Sequence, residues 1–539
     1  MSIKLNQKTK ILIVTGGVFS SLGKGVACSS LGAMLKCFGM SVMIMKFDPY
    51  LNVDAGTMSP DQHGEVFVTY DGHETDLDIG NYERFLNINL PKESNVTAGK
   101  IYYETLAKER DGKFLGSTIQ VVPHITDAII EKVVTLSNKY LPDFLIVEVG
   151  GTVGDIESIP FLEATRQLQA KYRSQVMFIH TVPLIELLTS HDLKTKPLQH
   201  SVKEIMSFGI FPNLLLVRSK DELNLKLKRK ISLTTGIEEQ NIYSLINLKE
   251  IYLMPESLEN QRVQDSIFSF FKLKTPERIG FKHWDSFISL IKKPKKYKAR
   301  IVVVGKYSSS SDAYLSIISS LEIASFYLRT SIQIIFVDSA TVNDDNVHEL
   351  GEYDGILIPG GFGKRDVEGK IASIKFAREN NIPLFGICLG MQLVSIEFAR
   401  NVLKIDDADS TEFTEDTKNP IITILEGKTK DSNLGGTLRL GNYTCEIKPN
   451  TKTYEIYKTN SILERHRHRY EFNPEYIDVF EKNGFVFSGF NKENGLVEIV
   501  ELKNHKFFVA CQFHPEFTSK ILSPNQIFYS FIDHAKKPI

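Results

Sequence analysis

The chain has 539 residues and a net charge of −1, with 42% hydrophobic and 24% charged residues. This length predicts two to four domains, and the balanced charge argues against general nucleic-acid binding, so any anion site must be local. No apolar run of about 18 residues is present, which argues against a membrane span. The five cysteines show no paired or metal-like spacing, so we expect free thiols and a cytoplasmic location.

Short, nearly continuous apolar runs in the first half predict strands that are buried on both faces of a parallel sheet. These runs cover residues 11–15, 42–46, 144–149, 176–181 and 213–218. Helical spacing over residues 25–38 follows the first run, so the chain opens as strand, loop, helix and strand. The pattern predicts an α/β domain with a P-loop-like, mostly parallel sheet over residues 1–274.

The loop between the first strand and this helix has a composition that suits phosphate binding. It reads Gly-Gly-Val-Phe-Ser-Ser-Leu-Gly-Lys-Gly from Gly16 to Gly25, and its N–H groups, the helix N-terminus and Lys24 supply positive charge. A simple turn is the alternative, because the strict phosphate-loop pattern is not met: Gly17 stands one residue early, and Gly25 replaces the hydroxyl that binds magnesium. Carboxylates elsewhere would then hold the metal. The candidates are Glu74, Asp76, Asp78 and Glu148.

Three further polar strings follow predicted strands, at residues 45–52, 150–158 and 194–199. Each is ambiguous alone, but ligands of open α/β sheets bind at the carboxyl ends of the strands. Their shared position therefore predicts one composite site, and the paired lysines Lys194 and Lys196 suit a triphosphate.

A domain boundary is expected after residue 274, because residues 275–291 form one amphipathic piece and residues 292–298 are a charged, proline-broken tether. We therefore assign residues 275–298 to a linker and residues 299–539 to a second α/β domain. Its predicted strands are 300–305, 331–337, 355–358, 421–425, 496–500 and 507–512, its helices are 312–328, 366–380 and 391–401, and residues 308–311 are a surface loop.

The second domain carries a candidate cysteine nucleophile. Cys388 stands between Gly386 and Gly390, after a strand and before a helix, which predicts a sharp turn and a thiol whose pKa is lowered by the helix N-terminus. His514 and Glu516 are two residues apart, so in an extended chain Glu516 would face the same side and orient His514. Such a device hydrolyses an amide through a thioester. Alone, the cysteine could equally be a buried structural thiol.

Donors for an oxyanion are also present. The N–H of Leu389 would point at the developing charge, and the glycines of residues 359–363 could supply a second N–H. With these features, residues 300–530 resemble the class I (triad) glutamine amidotransferases. The resemblance implies that Cys388, His514 and Glu516 are catalytic and release ammonia from glutamine. It implies that glutamine is bound by Gly361, Leu389, Gly390, Met391, Gln392, Glu412 and Arg469.

Arg469 lies in an alternating basic stretch, residues 464–470, for which a solvated edge strand is the alternative interpretation. This stretch and five others, at residues 20–25, 46–50, 56–60, 62–68 and 148–158, together resemble the CTP synthase family, and the resemblance spans nearly the whole chain. It implies a ligase of pyrimidine biosynthesis that phosphorylates the 4-oxygen of UTP with ATP and replaces the phosphate by ammonia from glutamine. One departure is Ile246-Asn247-Leu248, where the family commonly has Lys-Asp-Val on the adenine side.

The family resemblance also implies ligand sites. ATP would be bound by Ser21, Leu22, Gly23, Lys24, Gly25, Val26, Asp78 and Leu248. UTP, and the overlapping feedback inhibitor CTP, would be bound by Ser20, Asp155, Ile156, Glu157, Lys194, Thr195, Lys196, Pro197, Leu198, Gln199 and Lys230. Lys24 and Lys46 would serve phosphoryl transfer, and Asp78 and Glu148 would hold Mg²⁺.

The same resemblance implies GTP as an allosteric activator and a homotetramer that can form filaments. Two alternatives remain open at this point. One is another P-loop amidotransferase, such as a cobyrinic acid amide synthase, and the other is a non-catalytic, filament-forming assembly protein.

Overall fold

The computed structural model describes residues 4–186, 192–281, 284–307, 311–364, 366–424 and 438–539. The chain divides into two compact units. Unit 1 comprises Met1–Ala55 and Asp78–Ile288, and unit 2 comprises Gly56–Leu77 and Ser289–Ile539. We call residues 56–77 the inserted segment, because the sequence analysis placed them in the first domain whereas they pack with the C-terminal residues. The domain limits drawn from the sequence stay a prediction.

The strands are numbered in chain order. They are β1 Lys10–Gly16, β2 Val42–Asp48, β3 Phe67–Val68, β4 Glu74–Thr75, β5 Asn95–Thr97, β6 Phe144–Val149, β7 Val176–Pro183, β8 Ile185–Glu186, β9 Leu193–Lys194, β10 Leu214–Ser219, β11 Ile242–Ile246, β12 Tyr297–Gly305, β13 Thr330–Asp338, β14 Gly355–Ile358, β15 Leu384–Ile387, β16 Ala408–Ser410, β17 Asn419–Ile424, β18 Arg439–Ile447, β19 Ser461–His468, β20 Tyr470–Phe472, β21 Phe485–Asn491, β22 Val497–Leu502, β23 Phe508–Cys511 and β24 Lys537–Pro538.

The α-helices follow the same convention. They are α1 Lys24–Cys37, α2 Pro60–His63, α3 Asp78–Leu86, α4 Ala98–Arg110, α5 Thr126–Tyr140, α6 Ile159–Lys171, α7 Lys196–Ser207, α8 Leu225–Thr235, α9 Met254–Asn260, α10 Val263–Phe270, α11 Trp284–Lys292, α12 Leu315–Tyr327, α13 Val367–Glu379, α14 Leu389–Asn401, α15 Lys452–Tyr457, α16 Ile477–Lys482 and α17 Gln526–Ala535.

Unit 1 is built on a seven-stranded sheet in the order β11-β10-β7-β1-β6-β2-β5, with parallel pairing throughout. Strands β2, β6 and β7 are buried along their whole length, as the continuous apolar runs predict. Because the strands are parallel, the loops after β1, β2 and β6 leave the same edge of the sheet. Backbone hydrogen bonds tie these loops together, from Val153 N to the Gly16 carbonyl at 2.9 Å and from Gly150 N to the Phe47 carbonyl at 2.7 Å.

Unit 2 contains a ten-stranded sheet in the order β13-β12-β14-β15-β23-β22-β21-β18-β19, with β24 added beside β12, and a three-stranded sheet β16-β17-β20. Strands β15 and β23 are parallel neighbours, so the chain segments that follow them emerge side by side. Those segments begin with Cys388 and Gln512. The mixed α/β fold class predicted from the sequence is confirmed in both units.

The linker region differs from its prediction. The single amphipathic piece expected over residues 275–291 is wrong, since the helix there is α11 alone and Gly280, with φ of 72°, lies in irregular chain before it. Strand β12 already begins at Tyr297, inside the predicted tether. The surface loop predicted at residues 308–311 and the last residue of the strand predicted at 421–425 lie largely outside the described residues.

Candidate active sites

The chain makes a strained turn at Cys388, between β15 and α14. Cys388 has φ of 52° and ψ of −102°, a conformation that is rare for a residue with a Cβ atom and that is found at functional sites. The flanking glycines allow it: a Cβ atom at Gly390 would lie 2.3 Å from the carbonyl oxygen of Ile358, and one at Gly386 would lie 2.9 Å from Cβ of Ala510. The turn between strand and helix is therefore the one that the sequence predicts.

His514 and Glu516 are joined by a 2.7 Å contact between Nδ1 and Oε1. The extended conformation expected for them is wrong, because Pro515 opens a turn of 3-10 helix, Pro515–Phe517, that brings the carboxylate back to the ring. Burial alone would lower the pKa of His514, but the charge of Glu516 and the neighbouring sulfur of Cys388 raise it to about 10. Cys388, His514 and Glu516 thus lie together at one cavity, with Glu516 orienting the imidazole ring.

A cavity of about 490 Å³ opens beside these three side chains. Six predicted residues line it, namely Gly361, Cys388, Glu412, Arg469, His514 and Glu516. The inserted segment supplies another part of the wall through Gly56, Thr57, Met58, Pro60, Glu65 and Val66. Glu412 is held in place by the N–H of Gly363, which donates to Oε1 at 2.7 Å.

The other predicted glutamine-binding residues, Leu389 to Gln392, form the buried first turn of α14. The N–H of Leu389 lies at the helix N-terminus, where amides have no partner within the helix. Gln392 is 3% exposed and donates to the carbonyl of Tyr470 at 3.1 Å and to Oε1 of Gln512 at 3.4 Å. Gln512, which the sequence analysis missed, in turn donates to Sγ of Cys388 at 3.6 Å.

Strand β19 lies at the edge of the large sheet. It is not the solvated edge strand that was the alternative interpretation of its alternating charges. His466 and His468 are buried, and Arg465 is only 1% exposed. The strand backbone supports the nucleophile and base, since the carbonyl of Arg465 accepts from His514 N at 2.7 Å and that of Arg467 lies 3.9 Å from Sγ of Cys388. These two arginines are further residues that the sequence analysis missed.

The inserted segment packs against the outer side of β19. Nε of Arg467 donates to Oε1 of Glu74 at 2.7 Å, and Nη1 of Arg465 donates to the carbonyl of Val68 at 2.9 Å. Phe67 packs edge-on against Phe517 with ring centroids 5.0 Å apart, and Phe517 stacks on His514 at the same distance. Glu74 therefore serves this packing, and its carboxylate is not available for the metal site considered above.

In unit 1 the predicted lysines and carboxylates converge. Nζ of Lys46 bonds the carboxylates of both Asp78 and Glu148, the latter at 2.8 Å, and the hydroxyl of Tyr82 donates to Glu148. Lys24 is 8% exposed and donates to the carbonyl of Gly151 at 2.6 Å, and its burial lowers the pKa of its ammonium. Two cations and two carboxylates thus meet at the carboxyl edge of the parallel sheet.

The departure from the standard phosphate loop has a structural cause. A Cβ atom at Gly25 would lie 2.2 Å from Oδ1 of Asp78, so this carboxylate occupies the space in which a serine or threonine side chain would stand. The loop itself turns through left-handed conformations at Val18, Ser21 and Gly23, with φ of 85°, 59° and 96°. Ser20 and Ser21 are exposed, Leu22 is buried and Val26 is half-buried on α1.

A second cavity of about 470 Å³ lies beside this loop, lined by Val18 and Val153 and by the first turns of α7 with Lys196 and Pro197. Among the other residues predicted to bind UTP, Asp155, Ile156, Glu157, Lys194 and Lys230 are exposed. Thr195 and Gln199 are buried and bonded to each other at 3.0 Å, while Leu198 packs in a hydrophobic core and Leu248 is half-buried after β11.

The described residues contain no cluster of three or more histidine, cysteine, aspartate or glutamate side chains suited to a metal ion. Among the helices of these same residues, none combines the length and apolar character that crossing a bilayer requires.

A cysteine at a strained strand-to-helix turn, beside a histidine that a glutamate orients, defines unit 2 as a class I glutamine amidotransferase. Unit 1, with its phosphate-type loop and converging lysines, has the architecture of a nucleotide-dependent synthetase.

Comparisons with known proteins agree. Residues 10–273 match the family model described as CTP synthase N-terminus, and residues 310–534 match that described as glutamine amidotransferase class-I. The chain is 50% identical over 528 residues to a CTP synthase of Hydrogenobaculum sp., covering 98% of each chain. It is 50% identical over 527 residues to a CTP synthase of Staphylococcus saprophyticus, covering 97% of this chain and 98% of the relative.

Among solved structures, the glutaminase domain of Trypanosoma brucei CTPS with bound acivicin is 37% identical, covers 44% of this chain and 93% of that chain, and has a TM-score of 0.42. The chain belongs to the CTP synthase family. It is a glutamine-hydrolysing ligase that uses ATP, UTP and glutamine, and neither alternative considered from the sequence is favoured.

Proposed function

We propose that the two sites divide the CTP-forming reaction between them. Glutamine is hydrolysed at Cys388 in unit 2, and the ammonia aminates UTP whose 4-oxygen has been phosphorylated by ATP in unit 1. The observation that carries this proposal is the grouping of Cys388, His514 and Glu516 at the wall of a cavity, with Glu516 bonded to His514, in a chain that also gathers Lys24 and Lys46 around two carboxylates.

In the first half-reaction, Sγ of Cys388 attacks the side-chain amide carbon of glutamine. His514 holds the proton taken from the thiol as an imidazolium, in keeping with its raised pKa, and passes it to the departing nitrogen, so that ammonia leaves and a glutamyl thioester remains, which water then hydrolyses. Glu516 accepts from the Nδ1–H of His514 at 2.7 Å, which leaves Nε2 as the ring nitrogen for this transfer. The N–H groups of Leu389 and Gly361 stabilise the oxyanion.

Arg469 and Glu412 are the charged residues of the cavity that suit the two charged ends of the amino acid. The guanidinium of Arg469 binds the α-carboxylate, and Glu412 binds the ammonium. Gly390, Met391 and Gln392 act indirectly, since they shape the buried first turn of the helix behind the nucleophile.

In unit 1, Lys24 and Lys46 bind the phosphates of ATP and neutralise the charge that develops on the transferring phosphoryl group. Asp78 and Glu148 are suited to Mg²⁺, because both carboxylates already bind the cationic Nζ of Lys46 and Asp78 fills the place of the missing hydroxyl. When bound, the ion would supply further neutralisation of the triphosphate. Residues 21–26, with Leu248 at the adenine end, would form the rest of the ATP site.

UTP, and CTP as an inhibitor that competes for the same place, would occupy the edge formed by Ser20, residues 155–157, residues 194–199 and Lys230. The exposed cations Lys194, Lys196 and Lys230 suit the triphosphate. Family membership supports GTP as an activator, a homotetramer capable of forming filaments, and a cytoplasmic location, and we include these in the proposal.

The proposal is tested by incubating the chain with UTP, ATP, Mg²⁺ and either glutamine or ammonium, and following the ring absorbance as cytosine forms. Lys24→Ala should lose CTP formation from both nitrogen sources, because the phosphate charge is no longer neutralised. Glutamate release from glutamine is measured on the same preparation, because it reports the activity of unit 2 separately. Retention of ammonium-dependent activity by Lys24→Ala would contradict the assignment of this loop.

A further inference from the structure

Five charged or titratable side chains form a closed ring inside unit 2, which we call the buried ion cluster. Its members are Arg439, His466, His468, Glu471 and Glu498, and each is at most 6% exposed. Arg439 contacts Glu498 at 2.7 Å and Glu471 at 3.2 Å. His466 lies 3.0 Å from Glu498 and 2.7 Å from His468, and His468 lies 3.4 Å from Glu471, which closes the ring.

Burial and the contacts within the ring oppose each other. Burial lowers the pKa of both histidines and raises the pKa of Glu471 to about 8. Burial alone would also raise the pKa of Glu498, but His466 and Arg439 outweigh it and hold that pKa below its ordinary value. The shortest contact between opposite charges in the ring is the 2.7 Å pair of Arg439 and Glu498. Such networks are costly to bury, and their best-attested use is to specify a particular arrangement.

Two members of the cluster, His468 and Glu471, flank Arg469 in the chain. At this point the chain leaves β19, which pairs with β18 in the large sheet, and enters β20, which pairs with β17 in the small sheet. Arg469 belongs to neither strand and lines the cavity together with Cys388. Its backbone is thus held between two residues that are anchored in the same ring of side chains.

We propose that the buried ion cluster positions Arg469 for the α-carboxylate of glutamine, with Arg439 and Glu498 as the charged pair that holds the ring together. The proposal rests on the function proposed above for Arg469. The cluster members are positioning residues, because none of them is among the described residues that line the cavity, whereas Arg469 is.

The test compares two chemically identical substitutions in the same ring. Glu498→Gln removes the carboxylate charge that contacts Arg439 most closely, at 2.7 Å, so we expect kcat/KM for glutamine hydrolysis to fall about 10- to 100-fold, chiefly through KM. Glu471→Gln changes the more distant partner, at 3.2 Å, whose pKa is raised to about 8, and keeps an acceptor for Arg439, so we expect a change smaller than about threefold. Ammonium-dependent CTP formation, measured on the same preparations, should be unchanged in both.

A second measurement distinguishes a loss of Arg469 positioning from a general loss of structure. The wild-type chain should prefer glutamine over L-glutaminamide, in which an amide replaces the α-carboxylate, and Glu498→Gln should lose most of that preference. If Glu498→Gln does not fold, His468→Asn is measured instead. This substitution breaks the ring of contacts at His468, and we expect it to lose most of the same preference for glutamine. A variant that keeps the wild-type preference would overturn the role of the cluster, whereas absence of any preference in the wild type would instead refute the proposed role of Arg469.

Discussion

Replacing Gly25 by serine would restore the hydroxyl of a standard phosphate loop, yet we expect it to lower the rate of CTP formation about 100-fold. The new Cβ atom would lie 2.2 Å from Oδ1 of Asp78, whereas ordinary contacts begin at 3.4 Å. Asp78 would therefore have to retreat by about 1 Å, and Lys46, which is bonded to it, would move as well. A misplacement of about 1 Å at a catalytic group costs on the order of 100-fold in rate, or about 2.7 kcal/mol.

The measurement is ammonium-dependent CTP formation at saturating UTP, ATP and Mg²⁺, with glutamate release recorded on the same preparation. Gly351→Ala is the matched control, because its added methyl would meet its nearest neighbour, Phe376, at an ordinary 3.5 Å. The control should keep both activities, and Gly25→Ser should keep only glutamate release. Ammonium-dependent activity within threefold of wild type in Gly25→Ser would refute the argument that Asp78 requires a glycine here.

Three further predictions concern unit 2. Cys388→Ala should lose glutamine-dependent CTP formation and keep ammonium-dependent formation, because only the thioester step needs the sulfur; equal loss of both, in the absorbance assay, would contradict the division of labour. Glu516→Gln removes the charge that raises the pKa of His514. In a pH–rate profile, the pH at which glutamine hydrolysis declines on the alkaline side should therefore fall by about 1–3 units. An unchanged profile would argue against this role of Glu516. Glu74→Ala leaves Arg467 without its buried ion-pair partner. It should lower kcat/KM for glutamine hydrolysis, measured by glutamate release, at least about tenfold. An unchanged kcat/KM would show that the pair of Glu74 and Arg467 does not support the site.

Local patterns were sufficient for the parts of the fold that depend on neighbouring residues. The continuous apolar run before the phosphate-type loop predicted β1, and the glycines around Cys388 predicted its turn, because burial and backbone strain act within a few residues. Strand β5 was missed since its sequence, Asn-Val-Thr, is short and mostly polar. Membership in the CTP synthase family, which the combined motifs indicated, is confirmed by the comparisons.

Features that depend on distant partners could not be predicted. The alternation of charged residues in β19 is typical of a solvated edge, and the burial of His466 becomes understandable only once Glu498 lies beside it. The chain after His514 is not extended, because Pro515 opens a turn. The two-residue spacing of His514 and Glu516 does not determine the direction of that turn. The individual roles of the site residues stay predictions that the experiments above can test.

The inserted segment has a consequence for how this chain is made. Its anchors lie far along the polypeptide: Glu65 bonds Ser316, 251 residues later, and Glu74 bonds Arg467, 393 residues later. During synthesis the inserted segment therefore leaves the ribosome long before the strand that it will cover, so Phe67 lacks its eventual neighbour Phe517 until that part of the chain is made. A gene fragment that starts at residue 289 would encode Cys388 but not the part of the cavity wall that the inserted segment supplies.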